Sequence, residues 1–325
     1  MTLTCEIRRN GGPDVLEWIE TDPGDPGPGE VRIRHHAVGL NYIDVYHRTG
    51  LYPLPLPSGI GLEAAGEITA IGDGVSDLAV GDRVAYASAP LGAYAEERLM
   101  PADRVVPLPD TVDARSAAAL MLKGLTAHFL LFRTFAVQPG QRVLVHAAAG
   151  GVGYLLCRWA THLGATVIGT AGSRDKAAIA REAGCAEVIQ YRDGNVATQV
   201  RRAAGKRGVD VVYDGVGAAT FQDSLDSLAP LGMMVSFGNA SGAVPAFEPS
   251  ELARRGSLFF TRPSLLDYTR ERSDLLAGAS ALFEALSAGT LSARIDQEYP
   301  LKQAARAHRA LEARKTTGAS LLIPG

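Results

Sequence analysis

The sequence predicts an α/β protein in which a doubly wound parallel sheet is inserted into a β-rich domain. Three observations carry this. The first part of the chain is turn-rich and strand-like, strands and helices alternate from Gln141 onward, and the tail from Ser264 returns to a mixed pattern. A length of 325 residues suits two domains at about 150 residues each.

Residues 22–30 (DPGDPGPGE) form a loop, because their prolines and glycines forbid a regular element. Residues 30–39 alternate, with Val31, Ile33, His35 and Ala37 on one face, as a half-buried strand does. Residues 64–84 read as a strand, a Gly-Asp-Gly turn, a second turn at Gly81 and Asp82, and another strand. Short strands at this spacing suggest a small antiparallel β domain. Residues 111–132 have the density of a helix pair broken at Gly124. The pattern then predicts strands at 142–147, 166–170, 187–191, 209–213 and 233–237, with helices at 152–163, 174–183, 195–204 and 218–228. Alternation at this period means βαβ units and a parallel sheet. Residues 257–261 would add a final strand, 301–314 a tail helix, and 320–324 a closing strand.

Composition narrows the functional classes. Lys and Arg total 32 against 35 Asp and Glu, a net charge of −3. That balance offers no basic face for nucleic acid or an anionic membrane. The three cysteines are widely spaced without C-x-x-C, which argues against a disulfide framework or a cysteine-rich zinc lobe. Residues 1–13 hold no apolar stretch of signal-peptide length, so the expectation is a cytoplasmic protein. The uncharged run 227–247 contains Pro230, Pro245, Gly232, Gly238 and Gly242 and reads as strand and loop, not a membrane span.

Residues 146–153 (HAAAGGVG) follow an apolar strand and open a helix, with Ala148, Gly150 and Gly153 in an A-x-G-x-x-G pattern. Glycines there let backbone N–H groups at the helix start face a pyrophosphate. Val152, Leu155, Leu156, Trp159, Ala160 and Leu163 supply the helix's core face. The next strand ends in 168–173 (IGTAGS) without the carboxylate that would bond an NAD ribose, and Ser173, Arg174 and Lys176 follow. A small strand end with two cations suits a 2′-phosphate, hence NADPH. Asp175 is the complication, and it serves equally well as a cap for the helix that follows.

Motifs for metal or nucleophilic catalysis do not emerge. His35 and His36 point to opposite faces of their strand, and H-E-x-x-H, G-x-S-x-G and P-loop patterns are missing. Cys157, within the helix after the glycine turn, reads as a structural thiol. A polar–aromatic cluster remains: Asn41, Tyr42, Asp44, Tyr46 and Tyr52. Its tyrosines either orient a flat acceptor ring or pack a strand against a loop.

Together, 39–46 (GLNYIDVY), 59–66 (GIGLEAAG), 122–127 (LKGLTA), 146–153 and 235–242 (VSFGNASG) resemble the medium-chain dehydrogenase/reductase superfamily. The resemblance is specifically to its zinc-free NADPH:quinone oxidoreductase (zeta-crystallin-like) branch. Asn41 stands where zinc-containing relatives carry a cysteine ligand, and Leu62 where they carry histidine; neither replaces thiolate or imidazole. The resemblance implies a GroES-like catalytic domain (1–122 with 264–325) around a Rossmann NADPH-binding domain (123–263), in a homodimer. It implies Asn41, Tyr46 and Thr126 near the nicotinamide and Gly150, Gly151, Val152 and Gly153 on the pyrophosphate. Ser173, Arg174 and Lys176 would hold the 2′-phosphate with Tyr191 alongside, Phe237, Gly238 and Asn239 would line the ribose, and Arg314 would add a contact. The implied activity is NADPH-dependent, metal-free quinone reduction, with Tyr46 and Tyr52 orienting the acceptor and Asn41 polarising its oxygen. Reduction of an alkenal or enone double bond is the alternative, and a non-catalytic NADPH- or RNA-binding role the remote one.

Overall fold

The computed structural model describes residues 1–192 and 194–325. It comprises two compact units, Met1–Leu125 with Thr269–Gly325, and Thr126–Tyr268.

In the first unit, a seven-stranded sheet is built on the long strand Glu30–Leu40. Its alternation buries Val31, Ile33, His35 and Ala37, as the sequence pattern predicts. An irregularity beyond His35 then changes the pleat, so Val38, Gly39 and Leu40 are buried in succession. Glu63–Ile71 pairs antiparallel on one side, followed by Arg83–Ala87. On the other side lie Glu97–Pro101 and the strand Ala319–Ile323. The last pair, Ala319–Ile323 with Ile295–Pro300, is parallel, because the helix Ala304–Glu312 carries the chain over between them. Ile7, Ile33, Ile60, Ile68, Val84, Met100 and Leu322 form the core, each fully buried aliphatic side chain contributing about 1.5–3 kcal/mol.

One sequence expectation fails here. Residues 111–132 are not a broken helix pair; Ala114–Phe129 is a single helix running into a π-helical turn, Leu130–Thr134. Gly124 does not interrupt it. A Cβ at Gly124 would stand 2.5 Å from Cδ1 of Leu282 on the helix Arg272–Ser287. The glycine is there for close helix packing, which outweighs its propensity penalty of about 1 kcal/mol.

The second unit is a six-stranded, wholly parallel sheet. Its order is Glu187–Gln190, Thr166–Ala171, Arg142–Val145, Val209–Asp214, Leu228–Ser236, Phe259–Thr261. Numbered along the unit this is the 3-2-1-4-5-6 order of the doubly wound fold, in which the direction of winding reverses beside the first strand. The expected helix 218–228 begins late, at Phe221. The preceding loop is instead wound around the buried Asp214 carboxylate, which accepts from the N–H groups of Val216 and Gly217 and from the hydroxyls of Thr220 and Ser224.

Candidate active site

The glycine turn follows strand Arg142–Val145, whose Val143, Leu144 and Val145 are fully buried. The His146 N–H donates to Tyr213 O, and the Ala148 N–H to Thr170 O, so the turn is pinned to both neighbouring strands. Ala147 takes a left-handed φ of 52°, a conformation costing an L-residue about 1 kcal/mol. The helix Gly151–His162 then starts with Gly150 as its N-cap and no side-chain cap. A Cβ on Gly153 would lie 2.3 Å from Ala147 O, so the helix approaches the turn as closely as only glycine permits. Uncapped N–H groups on a well-packed helix make an anion site. The helix is buried more completely than its apolar stripe implies: Tyr154 and Cys157 are also inside, while Val152 and Leu163 are only half-buried.

Beside it, strand Thr166–Ala171 ends in Gly172 and Ser173. Ser173 caps the helix Arg174–Glu182, its hydroxyl accepting from the Lys176 N–H at 3.3 Å. Asp175 is exposed in the first turn of the same helix, where its charge complements the dipole. Tyr191 is exposed, and its hydroxyl lies over Gly172, where a Cβ would come within 2.3 Å of it. Ser173, Arg174, Lys176 and Tyr191 therefore share one sheet end. Phe237 and Gly238 follow strand Leu228–Ser236, and their N–H groups both donate to Asp214 O, at 2.8 and 3.3 Å. The Asn239 amide donates to Gly238 O at 3.0 Å and accepts from Arg262 at 3.2 Å. These groups thus gather at the carboxyl ends of the parallel strands, where ligands bind in such sheets. Thr126 is buried on the helix Ala114–Phe129.

Sequence reasoning missed what organises this end from below. His146 Nδ1 lies 3.1 Å from Thr170 Oγ1 and Nε2 3.1 Å from Ser224 Oγ, which in turn donates to Asp214. Burial holds His146 below the usual histidine range, against the opposing charges of Asp214 and Asp223. Cys157, fully buried as expected, lies 3.3 Å from Cys185 Sγ, both free thiols.

In the first unit, Asn41 is the N-cap of helix Tyr42–Thr49 and forms a reciprocal capping box with Asp44. Tyr46 lies between Tyr42 and Tyr52, with ring centroids 5.5 and 5.1 Å away, a ladder of tilted rings. The Asn41 amide donates to Glu63 Oε2 at 2.7 Å and to Gly39 O at 3.5 Å. Both amide hydrogens of Asn41 are thus directed at groups inside the unit. Glu63, fully buried, also accepts from the Leu122 N–H at 2.7 Å and from the Lys123 ammonium at 3.1 Å. A Cβ on Gly39 would stand 2.2 Å from Glu63 Oε2, which explains the glycine. Arg314 belongs to this unit, exposed with φ 57°, and its charge acts on Tyr42, whose phenol is raised by burial and by Glu312.

A directional hydrogen-bond chain ends on Asp44. Arg48 can only donate, so His308 Nδ1 accepts from it at 3.1 Å and Nε2 carries the proton. That N–H faces the Tyr94 oxygen at 2.9 Å, and the Tyr94 hydroxyl donates to Asp44 Oδ2 at 2.9 Å. Arg48 is itself fully buried and bidentate on Glu312. Burial, reinforced by Arg48, depresses His308 to about 3. Burial pushes Asp44 up to about 7, against the opposing N–H of Asn41 and hydroxyl of Tyr94. Asp44 Oδ1 is buried and has no hydrogen-bond partner among the described residues.

Residues 27–110 match the alcohol dehydrogenase GroES-like domain, and residues 151–277 the zinc-binding dehydrogenase family. The chain is 49% identical to the quinone oxidoreductase of Pseudomonas aeruginosa, covering all of both proteins. It is 46% identical to a 2-haloacrylate reductase of Burkholderia, covering 100% of this chain and 99% of that one. The structure of Escherichia coli quinone oxidoreductase complexed with NADPH superimposes with a TM-score of 0.97 at 45% identity, over 99% of this chain and 100% of that one. Zinc, which the family description implies, does not fit the residues present. Leu62 is a buried hydrocarbon, the Asn41 amide is directed at Glu63, and the Glu63 carboxylate already holds a lysine ammonium. Among the described residues no group of His, Cys, Asp or Glu could hold a metal ion. The chain belongs to the quinone oxidoreductase branch of the medium-chain dehydrogenase/reductase superfamily.

Proposed function

We propose that this protein reduces quinones with NADPH, taking up one proton per hydroquinone formed. The observation that carries the cofactor reading is the glycine turn beside a carboxylate-free strand end bearing Ser173, Arg174 and Lys176. NADPH, when bound, supplies the hydride. Gly150, Gly151, Val152 and Gly153 would hold its pyrophosphate, Ser173, Arg174 and Lys176 its 2′-phosphate with Tyr191 alongside, and Phe237, Gly238 and Asn239 its nicotinamide ribose. Asn41, Tyr46 and Thr126 would border the nicotinamide, with Arg314 a further contact. The division of labour is a catalytic domain of residues 1–122 and 264–325 and a cofactor domain of 123–263.

A quinone gains aromaticity on reduction, so the protein's task is to align two flat rings and exclude water. The Tyr42–Tyr46–Tyr52 ladder offers aromatic faces for that alignment. The likeness to a 2-haloacrylate reductase favours a second reading, reduction of an activated C=C bond, which needs a proton at the α-carbon. The net charge of −3 counts against an RNA-binding role.

The edge strand Phe259–Thr261, with Phe259 55% exposed, supports pairing with a second copy in a homodimer. Three unpaired cysteines suit the cytoplasm, and among the described residues no helix is long and apolar enough to cross a membrane. The test records NADPH and NADH oxidation against quinones, alkenals and aldehydes, with a chelator as control. Faster turnover of 1,4-naphthoquinone with NADPH, insensitive to chelator, is expected. Equal use of NADH would overturn the phosphate site, and preference for alkenals would install the second reading.

A further inference from the structure

Lys123 is 6% exposed, and its ammonium carries three N–H bonds. Among the described residues it donates to Glu63 Oε2 alone. A buried ammonium with spare donors is costly unless something accepts from them. Asn41 Nδ2 meets the same Glu63 oxygen, at 2.7 Å against 3.1 Å for Lys123, so amide and ammonium lie side by side. The residue after Asn41 begins the tyrosine ladder. The Asn41 hydrogens are spent on Glu63 and Gly39, whereas two of the Lys123 hydrogens are not.

We propose that Lys123 is a catalytic residue whose ammonium donates to the acceptor oxygen that gains charge, with Glu63 fixing its position. This rests on the quinone-reductase reading above. NADPH is oxidised to NADP⁺ as its hydride enters the quinone, a carbonyl π bond breaks, and one quinone oxygen is left anionic. Lys123 holds that oxygen by an N–H···O⁻ bond and keeps its own proton. A proton from water then forms the neutral hydroquinone. The positive charge stands beside Glu63 already desolvated, so it needs no rearrangement as charge develops.

The competing account is that Lys123 only neutralises Glu63. Lys123→Met alone would strand a buried carboxylate, so the informative variant is Lys123→Met with Glu63→Gln. We expect this double variant to have a higher Tm than Lys123→Met alone and to keep its NADPH affinity, while kcat for quinones stays down by about 100-fold. Across substituted 1,4-benzoquinones the loss should deepen as the ring becomes more electron-rich, because those oxygens depend most on the ammonium. Lys123→Arg, which keeps the ion pair and the donors, should recover much of kcat and provides the same acceptor series in a folded protein. Recovery of kcat together with Tm in the double variant, or a loss independent of the acceptor, overturns the proposal. Absence of quinone turnover by the wild-type enzyme would instead refute the reading on which it rests.

Discussion

Replacing Asp44 by asparagine should make the protein more stable at alkaline pH. The folded carboxyl keeps its proton up to about 7, because it is buried, whereas an unfolded aspartate loses it near 3.8. In the interval the folded state binds more protons than the unfolded one, so stability falls as pH rises, and it levels off above the folded value. At about 1.4 kcal/mol per pH unit, the stretch from pH 5.5 to 7 is worth about 2 kcal/mol. The asparagine side chain would keep an oxygen for the Tyr94 hydroxyl or the Asn41 N–H and would have nothing to ionise. Urea midpoints or thermal melts of both proteins at half-unit steps from pH 5.5 to 8.5 measure this. The advantage of Asp44→Asn over wild type should grow by about 2 kcal/mol, or roughly 4–8 °C for a unit of this size. Two curves that stay parallel would mean that Tyr94 and Asn41 keep Asp44 ionised throughout, and the argument from burial would fail.

Other variants test the remaining pieces. Lys176→Ala should raise the Kd for NADPH about 10-fold with little change for NADH, by fluorescence titration, since the proposed site would lose one charge-assisted contact to the 2′-phosphate. Gly153→Ala places a methyl 2.3 Å from Ala147 O and should weaken both cofactors, with about 1–3 kcal/mol lost from the fold as seen in urea unfolding. Arg48→Met leaves His308 Nδ1 and the Gly11 carbonyl without their donor and should cost about 3–5 kcal/mol in the same assay.

The glycine turn was legible because its parts are neighbours in sequence: a buried strand, a glycine run and an apolar helix within one short stretch. The same holds for Ser173 to Lys176, one turn beyond the next strand. The Asp44 network was not legible, since Tyr94 meets His308 across 214 positions and Arg48 meets Glu312 across 264. Each of these side chains, read locally, passes for a surface charge or a strand aromatic. Glu63 and Lys123 stood inside motifs that suggested kinship but gave no role, and their pairing across 60 positions is a product of the sheet. Gly124 misled because a local propensity cannot register Leu282 on a helix far along the chain.

The strand Ala319–Ile323 pairs with Glu30–Leu40, setting Ser320 opposite Leu40 and Leu322 opposite Val38. The first unit's sheet therefore stays open at Val38 to Leu40 until the strand Ala319–Ile323, some 280 positions further on, has been made. The second unit, continuous from Thr126 to Tyr268, can close long before. Such distant pairing is slow to form. During that delay the nascent protein carries one finished sheet and one with a bare apolar edge, and chaperones would meet it there.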